Sequence, residues 1–301
     1  MSGVDRFVLR TNGSTIELCG SRSETFTSIF DVAGMGLVPE RPMMQERPIM
    51  VCLHGGPGFD HSTLKTSLAP LADIAQLVFP DQRGAGRSDR GTSDRWTLDW
   101  WIEDVPAFCN ALGIERPILL GHSFGGIVAL GVAARHPELP VKLIVSSSAA
   151  RIRLDRALAM FQRLGGAAAR EVAARFFESP TQESLASYRG TCLPLYNPSP
   201  ADPDVFARAI LREDLALHFW GDEIKRFNMF PEVGAIRCPT LILAGELDPI
   251  ITIPDHEELA AAIPGSLLEV FPDAGHGVFR DKPEESLAVI RNFILESAGE
   301  T

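Results

Sequence analysis

The sequence predicts an α/β fold built on a mostly parallel sheet, and three observations support this prediction. Short apolar runs bounded by turn residues recur along the chain, helical patterns separate them, and the length of 301 residues allows one large core. Runs that are apolar throughout are typical of strands covered on both faces, as a parallel sheet requires. Their alternation with helices indicates right-handed crossover units.

Six apolar runs are the predicted strands of the parallel part of the sheet, at 48–53, 76–80, 117–121, 141–147, 239–245 and 266–271. Weaker segments precede them at 5–10, 14–19 and 25–32, and we expect these to form short antiparallel strands at one edge. Helices are predicted at about 97–112, 124–135, 254–263 and 283–297. The last two begin at Pro254 and Pro283, and the first turn of a helix tolerates proline.

The stretch 148–237 differs from the rest of the chain in pattern and in charge. Strand runs give way to Arg- and Ala-rich helical stretches and to the proline-rich break NPSPADPD at 197–204. Residues 151–235 hold eleven acidic and eleven basic side chains, so the formal net charge of −11 comes entirely from the remainder. We therefore predict a core domain from 1–147 and 238–301, and a helical cap domain from 148–237 inserted after the sixth strand.

Composition argues against several classes of protein. With 39 acidic and 28 basic residues and no basic cluster, the chain is poorly suited to nucleic acid or an anionic membrane surface. No apolar run approaches the ~20 residues of a membrane span and the N-terminus lacks a signal-peptide pattern, so we expect a cytoplasmic protein. Neither histidines nor cysteines show metal or disulfide spacing, so no metal and no cofactor is expected. The cysteines are Cys19, Cys52, Cys109, Cys192 and Cys238.

The pentapeptide GHSFG at 121–125 lies between a predicted strand and a predicted helix. This is the context of the nucleophile elbow G-x-S-x-G, in which a strained turn exposes the serine hydroxyl. Gly121 and Gly125 leave room for the tight strand-to-helix crossing. The pattern by itself arises by chance, but in this context it predicts Ser123 as a nucleophile.

A serine nucleophile needs an adjacent base, and the base needs an acid that holds its tautomer. Asp248 and His276 each follow a predicted strand, so both are expected at the carboxyl edge of the sheet, where open α/β sheets place their ligand sites. Ser, Asp, His is a known chain order for such a triad. Glu246 remains an alternative acid, although the Asp-Pro-Ile sequence favours Asp248 because it fixes the loop just past it.

The pentapeptide HGGPG at 54–58 directly follows a predicted buried strand. Glycine permits positive φ and close approach, and proline fixes one φ, so the loop is suited to presenting backbone N–H groups. Acyl transfer generates an oxyanion that needs such donors. We expect one donor from the N–H of Phe124, the residue after the nucleophile, and the other from Gly56, with Gly55 as the alternative. His54 is expected to brace the loop through its ring.

These motifs, with DQRGAGRSD at 81–89, LAGELDPI and AGHGVF, together resemble the α/β-hydrolase superfamily and, within it, the proline iminopeptidase branch. The resemblance covers roughly 48–147 and 237–298. It implies an eight-stranded sheet, a cofactor-free serine hydrolase and a helical cap that forms the substrate roof. For that branch it also implies release of N-terminal proline from peptides, with cap carboxylates holding the free amine. DQRGAGRSD is interpreted as structural, with Asp81 and Arg83 able to pair.

Substrate contacts are less well defined by the sequence. Gly55 and His122 adjoin the oxyanion loop and the nucleophile, and Glu213 and Trp220 are the candidates from the cap. The cap acids nearest the second core segment can bind an amine, but EDLALHFWGDEIKRF is more typical of an amphipathic helix with its charges in solvent. These acids are Glu213, Asp214, Asp222 and Glu223.

The kind of substrate stays open at this point. HGGPG and DQRG favour a proline iminopeptidase acting on a short peptide. Because two loops match that branch and only the nucleophile elbow differs from it, the peptidase is slightly favoured. The GHSFG elbow, which replaces the GGSWG usual in those peptidases, and the neutral cap favour an esterase or lactonase acting on a small carboxylic ester. A non-catalytic ligand sensor of the same fold is a further alternative. Epoxide hydrolases and dehalogenases need Asp where Ser123 stands.

Overall fold

The computed structural model describes residues 8–10, 13–19, 25–40, 43–200 and 202–296. Its strands are β1 (Val8–Arg10), β2 (Gly13–Cys19), β3 (Thr25–Ala33), β4 (Leu37–Glu40), β5 (Met43–Glu46), β6 (Ile49–Leu53), β7 (Gln76–Pro80), β8 (Ile118–His122), β9 (Lys142–Ser146), β10 (Thr240–Gly245) and β11 (Leu267–Phe271).

Its helices are α1 (Ser62–Leu68), α2 (Leu98–Ala111), α3 (Phe124–Arg135), α4 (Leu154–Glu178), α5 (Gln182–Thr191), α6 (Pro203–Arg208), α7 (Glu213–His218), α8 (Ile224–Arg226), α9 (Phe230–Val233), α10 (Ile253–Ala262), α11 (Val278–Asp281) and α12 (Pro283–Leu295). Short 3₁₀ turns lie at Ala69–Asp73, Ser93–Arg95 and Leu193–Leu195, and a π-helical turn, Phe219–Glu223, joins α7 to α8. No helix in the described ranges combines the length and the apolar character of a membrane span.

One large sheet organises the molecule, in the order β1-β2-β3-β7-β6-β8-β9-β10-β11. The strands from β7 to β11 are parallel, and β1 to β3 add an antiparallel edge, so the predicted α/β class is confirmed. In the described part of the chain this sheet has nine strands rather than the expected eight, because β1 pairs with β2 as an additional short strand. The helical insertion therefore follows the seventh strand of this sheet rather than the sixth. β4 and β5 form a separate antiparallel pair that the sequence did not predict.

Side chains of β6 show how helices cover both faces of the sheet. Val51 and Leu53 face a hydrophobic cluster with α2 and α3, whereas Met50 and Cys52 face a second cluster with α1 and α12. This alternation follows from the two-residue period of a strand. The strand at 266–271 departs from the prediction of burial on both faces. It is the edge strand β11, and Leu267 and Val270 are 55% and 40% exposed.

The four predicted helices are present as α2, α3, α10 and α12, each within two residues of the predicted ends. Thr97 caps α2 by accepting a hydrogen bond from the N–H of Trp100, which explains where this helix begins. The short helices α1 and α11 are additions that the sequence did not predict, since one or two turns carry little periodic signal.

The helices α4 to α9 lie between β9 and β10, and we call residues 148–237 the insertion. Much of it packs in a third hydrophobic cluster that includes Phe161, Phe176 and Tyr188. Ile250 and Ile251, from the loop after β10, belong to the same cluster and connect the insertion to the sheet. The helix α4 kinks at Gly166, where φ is 72°. The domain boundaries given above stay a prediction.

Strand order and register decide which loops meet. The strand β6 pairs with β7 on one side and β8 on the other, and such a reversal of strand order opens a crevice at the carboxyl ends of the strands. Leu53 of β6 lies opposite Gly121 of β8, so the HGGPG loop and the GHSFG turn leave the sheet side by side. Gly245 and Phe271 are partners between β10 and β11, and the loops that follow them carry Asp248 and His276.

Candidate active site

Ser123 lies on the sharp turn from β8 into α3, with φ 54° and ψ −120°, a conformation that residues other than glycine rarely adopt. The turn is held by hydrogen bonds from the N–H of Ser123 to the carbonyl of Ser146, at 2.8 Å, and from the N–H of Gly126 to the carbonyl of Ser123, at 2.9 Å. A Cβ at Gly121 or Gly125 would lie 2.3 or 2.2 Å from a backbone oxygen, so only glycine fits at either position.

The structure brings Ser123, His276 and Asp248 together. His276 Nε2 lies 2.8 Å from Ser123 Oγ, and His276 Nδ1 lies 2.8 Å from Asp248 Oδ2. Asp248 is fully buried, and its Oδ1 accepts hydrogen bonds from the N–H groups of Ile250 and Ile251, at 2.8 and 3.0 Å. An Nδ1–H that donates to Asp248 leaves Nε2 free to accept a proton from the serine hydroxyl. The arrangement is therefore able to activate Ser123 as a nucleophile.

The alternative acid does not reach the histidine. Glu246 is exposed, and its carboxylate accepts a hydrogen bond from the N–H of Asp273, at 3.5 Å. Asp273 sits in a turn with φ 57°. Of the two acids in this loop, Asp248 is the one in contact with His276.

The HGGPG loop is braced as expected by His54, which is fully buried. Its Nδ1–H donates to the carbonyl of Gly55, at 2.8 Å, and its Nε2 accepts from the N–H of Gln82, at 3.1 Å. The bond accepted by Nε2 requires the neutral ring, and burial lowers the pKa of His54 accordingly. Gly55, Gly56 and Phe124 line the cavity beside Ser123. Across the described residues, no hydrogen bond occupies their N–H groups, which leaves these donors available to a ligand.

A cavity of about 680 Å³ opens over Ser123. We call its strand-end side, with Gly56, His122, Ser123 and His276, the core wall. The opposite side, which we call the insertion wall, is largely apolar and aromatic, with Ile152, Phe176, Leu185, Tyr188, Phe219 and Trp220. Trp220, an expected substrate contact, lines this wall and stacks on Phe177 with ring centroids 5.2 Å apart.

The cap acids are not arranged as an amine site. Glu213 lines the cavity, but its carboxylate pairs with Arg189 of α5. The other three do not line the cavity: Asp214 pairs with Arg90, Asp222 is exposed, and Glu223 is buried, where it accepts from the N–H of Leu98 at 3.0 Å and pairs with Arg226. The described lining thus offers no unpaired carboxylate. Glu223 also departs from the expectation of a helix with all its charges in solvent.

His122, the variable residue of the GHSFG motif, lines the cavity next to the proposed base. Its ring centroid lies 5.2 Å from that of His276, and its Nδ1 lies 3.4 Å from Ser146 Oγ. Although part of the ring faces the cavity, protein surrounds it, and this desolvation, with the neighbouring His276, lowers the pKa of His122 to about 3. His122 is therefore neutral at physiological pH and adds no positive charge beside His276.

One segment of the insertion contacts the His276 loop, and the sequence predicts only a proline-rich break there. The carbonyl of Tyr196 accepts the N–H of His276 at 2.7 Å, and Asn197 Oδ1 accepts the N–H of Gly277 at 2.6 Å. The Tyr196 ring also packs edge-on against the His276 ring, at 5.1 Å. These contacts join residues about 80 positions apart, so no local pattern could have shown them.

The DQRGAGRSD loop differs in one respect from the prediction. Asp81 and Arg83 do not pair with each other. Arg83 Nε donates to Asp104 at 2.7 Å, whereas Asp81 accepts from the N–H and the ring Nδ1 of His61, at 2.9 and 2.8 Å. Each charged group finds a partner on a neighbouring element, which pins the loop between α1 and α2.

The sheet order, the elbow at Ser123 and the hydrogen-bonded Ser123, His276 and Asp248 point to one known fold family. The profile of the alpha/beta hydrolase fold matches residues 48–283. The chain belongs to this family. This hydrolase contains, in its described residues, no cluster of three or more His, Cys, Asp or Glu side chains placed to hold a metal ion.

Curated relatives of this hydrolase carry the names of several different hydrolases. The RutD protein of a Caulobacter species, provisionally named a carbamate hydrolase, is 28% identical over 267 residues, which cover 82% of this chain and 95% of the relative. The proline iminopeptidase of Saccharolobus solfataricus is 27% identical over 275 residues, covering 81% and 84%. Among solved structures, a thermophilic esterase of Thermogutta terrifontis superposes with a TM-score of 0.68 at 24% identity, covering 93% of this chain and 98% of the esterase.

Proposed function

We propose that this alpha/beta hydrolase is a serine hydrolase that cleaves carboxylic esters, including lactones, through an acyl-enzyme. The hydrogen-bonded series Ser123, His276 and Asp248, at the floor of a largely apolar cavity, is the observation that carries the proposal. In this proposal residues 148–237 act as the cap whose insertion wall receives the apolar part of the substrate.

The proposed reaction has two halves. Ser123 Oγ attacks the ester carbonyl carbon while His276 Nε2 takes the hydroxyl proton, and the N–H groups of Gly56 and Phe124 stabilise the oxyanion, with Gly55 as the alternative donor. His276 returns the proton to the leaving alcohol as the C–O bond breaks. Water then attacks the acyl-enzyme, gives a proton to His276, and releases the acid and free Ser123. Asp248 holds the His276 tautomer throughout.

The pairing of Glu213 favours an ester over a peptide with a free amine. Recognition of an ammonium group in an apolar cavity requires a carboxylate that is otherwise unpaired. The carboxylate of Glu213 already pairs with Arg189, and Arg280 adds a second positive charge to the lining. An ester with an uncharged acyl group meets no such obstacle.

The test is a hydrolysis panel of p-nitrophenyl acetate, butyrate and octanoate, a set of lactones, and prolyl p-nitroanilide, run with wild-type protein and with Ser123→Ala. We expect turnover of at least one ester or lactone, lost in the Ser123→Ala protein. Ester turnover that survives in a folded Ser123→Ala protein would contradict the proposal.

Proline iminopeptidase activity is the second candidate, because the HGGPG and DQRG loops resemble that branch and one curated relative carries that name. An aminopeptidase of this kind should lose activity when the substrate amine is blocked, because it would bind the charged amine and an amide no longer carries that charge. The decisive comparison is kcat/KM for a prolyl arylamide and for its N-acetyl form. Turnover of the free amine alone would establish this candidate, whereas equal rates or turnover of esters alone would reject it.

A further inference from the structure

Arg280 is a cavity residue that the reaction described above does not use. It lies on the short helix α11, four residues after His276, and lines the same cavity. Its Nη2 donates to the carbonyl of Ser199, its Nε is buried without a partner, and its Nη1 makes no hydrogen bond to any described residue. One edge of the guanidinium is thus unused by the protein.

No carboxylate of the described chain forms an ion pair with Arg280, although the nearby charge of Asp281 favours its protonated form. The adjacent Asp281 uses Oδ1 to accept the N–H of Ser199, at 3.2 Å, and Oδ2 to accept the N–H of Gly275, at 2.8 Å. Glu213, the acidic residue of the described lining, pairs with Arg189. The charged side chains of the described lining are Arg189, Glu213 and Arg280, so the lining has one net positive charge. The protein as a whole has a formal net charge of −11.

An unpaired guanidinium beside apolar walls is costly to retain. Burial lowers the pKa of Arg280, which reflects the loss of water around its charge, yet an arginine side chain stays protonated at physiological pH. An anionic ligand group would offset this desolvation, and the planar fork of a guanidinium matches a carboxylate. Anchoring Ser199 alone needs only a neutral donor, so that role does not account for the charge.

We propose that Arg280 binds a carboxylate of the substrate, so that the preferred esters carry a negative charge at the end away from the scissile bond. This inference rests on the proposed ester hydrolysis and narrows it to anionic esters, such as half-esters of dicarboxylic acids. Arg280 is then a specificity-determining residue that contacts substrate but takes no part in proton transfer.

The kinetic test compares substrates of equal chain length with and without the charge. The mono-p-nitrophenyl ester of glutaric acid carries a terminal carboxylate, and p-nitrophenyl valerate does not. Because the cavity does not define which side of the ester faces Arg280, 4-carboxyphenyl valerate places the charge on the leaving group instead. We expect one of the two anionic esters to be preferred over its neutral counterpart by about tenfold in kcat/KM.

Arg280→Gln should lower kcat/KM for the preferred anionic ester roughly ten- to a hundredfold and change the neutral ester by less than about threefold. Arg280→Lys should retain part of the preference because the charge remains. Arg237→Gln removes the same charge from an exposed surface position and serves as the control, with no expected change in preference. Equal losses for charged and neutral esters in Arg280→Gln would assign the residue a structural role and overturn the inference.

A binding measurement separates this inference from the proposed function. Calorimetric titration of glutarate into Ser123→Ala, and into Ser123→Ala with Arg280→Gln, needs no turnover. We expect the second protein to bind glutarate at least about tenfold more weakly, and both proteins to bind the neutral glutaramide equally. If no ester is hydrolysed, the proposed function fails while this comparison still decides the role of Arg280. Glutarate that binds both proteins equally, or neither, overturns the inference.

Discussion

The two walls of the cavity are held by different kinds of contact. On the core wall, strand register and short hydrogen bonds fix individual atoms, such as the 2.8 Å contacts of His276 with Ser123 and Asp248. On the insertion wall, aromatic rings pack on one another, as Trp220 does on Phe177 at 5.2 Å, and directed bonds are fewer. Atoms that take part in chemistry need exact placement, whereas an apolar substrate needs area and shape. The difference indicates that changes on the core wall affect kcat and changes on the insertion wall affect substrate preference.

Among changes on the core wall, Ser123→Ala should cause the largest loss of activity. Triad members act as a unit, so kcat for any ester substrate should fall by about 10⁴- to 10⁶-fold. The melting temperature should stay close to that of the wild type because the hydroxyl contributes no packing. Fluorophosphonate labelling of wild type, and none of Ser123→Ala, would check the assignment directly. If a folded Ser123→Ala protein keeps more than a few per cent of the wild-type activity, Ser123 is not the nucleophile.

Asp248→Asn should lower kcat by about 10³- to 10⁴-fold, because an amide no longer holds the His276 tautomer with Nδ1–H. Glu246→Gln, two residues earlier, is a matched control that removes an exposed carboxylate from the same loop. We expect it to retain activity within about threefold of wild type. Steady-state kinetics of both variants decide between the acids, and a larger loss in Glu246→Gln would contradict the geometry described above.

Acid should destabilise the core wall through its neutral histidines. The pKa of His122 is lowered to about 3, so between about pH 6.5 and pH 3 the unfolded chain binds a proton that the folded chain does not. Stability contributed by this group is therefore full above pH 6.5 and falls as the pH drops, by about 2 kcal/mol between pH 7 and pH 5. Burial lowers the pKa of His54 and His256 as well, with the same sign.

The measurement is the free energy of unfolding from urea titrations at pH 7 and pH 5. His122→Gln removes one titrating group and should reduce the fall by about 2 kcal/mol. An unchanged fall in this variant would show that His122 does not titrate in the expected window.

Asn197→Ala tests a side-chain hydrogen bond by which the insertion holds the His276 loop. Loss of the side-chain oxygen leaves the N–H of Gly277 without its acceptor, and we expect kcat to fall about tenfold with little change in KM because His276 precedes Gly277. Asn197→Asp keeps both the size and an acceptor for the N–H of Gly277 and should keep most of kcat. Asn197→Leu keeps the approximate size without an acceptor and should lose as much kcat as Asn197→Ala, whereas a purely space-filling role predicts that it retains kcat. Asn110→Ala, at an exposed position on α2, is the control. A rise in KM alone would instead place Asn197 in substrate binding.

Trp220→Ala is expected to have the smallest effect and to change preference rather than rate. Removing the ring from the insertion wall should raise KM for p-nitrophenyl octanoate about threefold while leaving the acetate nearly unchanged. Trp220→Phe should keep most of the contact with Phe177. Equal effects on the KM values for acetate and octanoate would contradict the expectation that the insertion wall determines substrate preference.

Much of the core wall was predictable from the sequence because its signals are local. The sequence predicts a helix at 124–135, and the structure has α3 there. The other signals lie within a few residues of the strand that positions them, and they are GHSFG, HGGPG, Asp248 and His276. Gly56 and Phe124 stay predictions as oxyanion donors, but their position beside Ser123 follows from the pairing of β6 with β8.

Other features depend on tertiary contacts and have no local signature. The pairing of Glu213 with Arg189 joins two helices of the insertion, and the bond between Asn197 and Gly277 spans the insertion and the core. The exposure of Leu267 follows from the position of β11 at the edge, which strand order decides and an apolar run does not. Arg280 lies outside every motif, so only the cavity reveals it.

The backbone of Ser123 has a consequence for how this protein would evolve. Its φ of 54° and ψ of −120° suit glycine, and a residue with a Cβ held there costs about 1–3 kcal/mol, out of a net stability of roughly 5–15 kcal/mol for a domain. A glycine at position 123 would relieve that strain and remove the proposed nucleophile. In the proposed mechanism, selection for thermal stability alone would favour glycine at this turn, and serine would persist there only while turnover itself is selected.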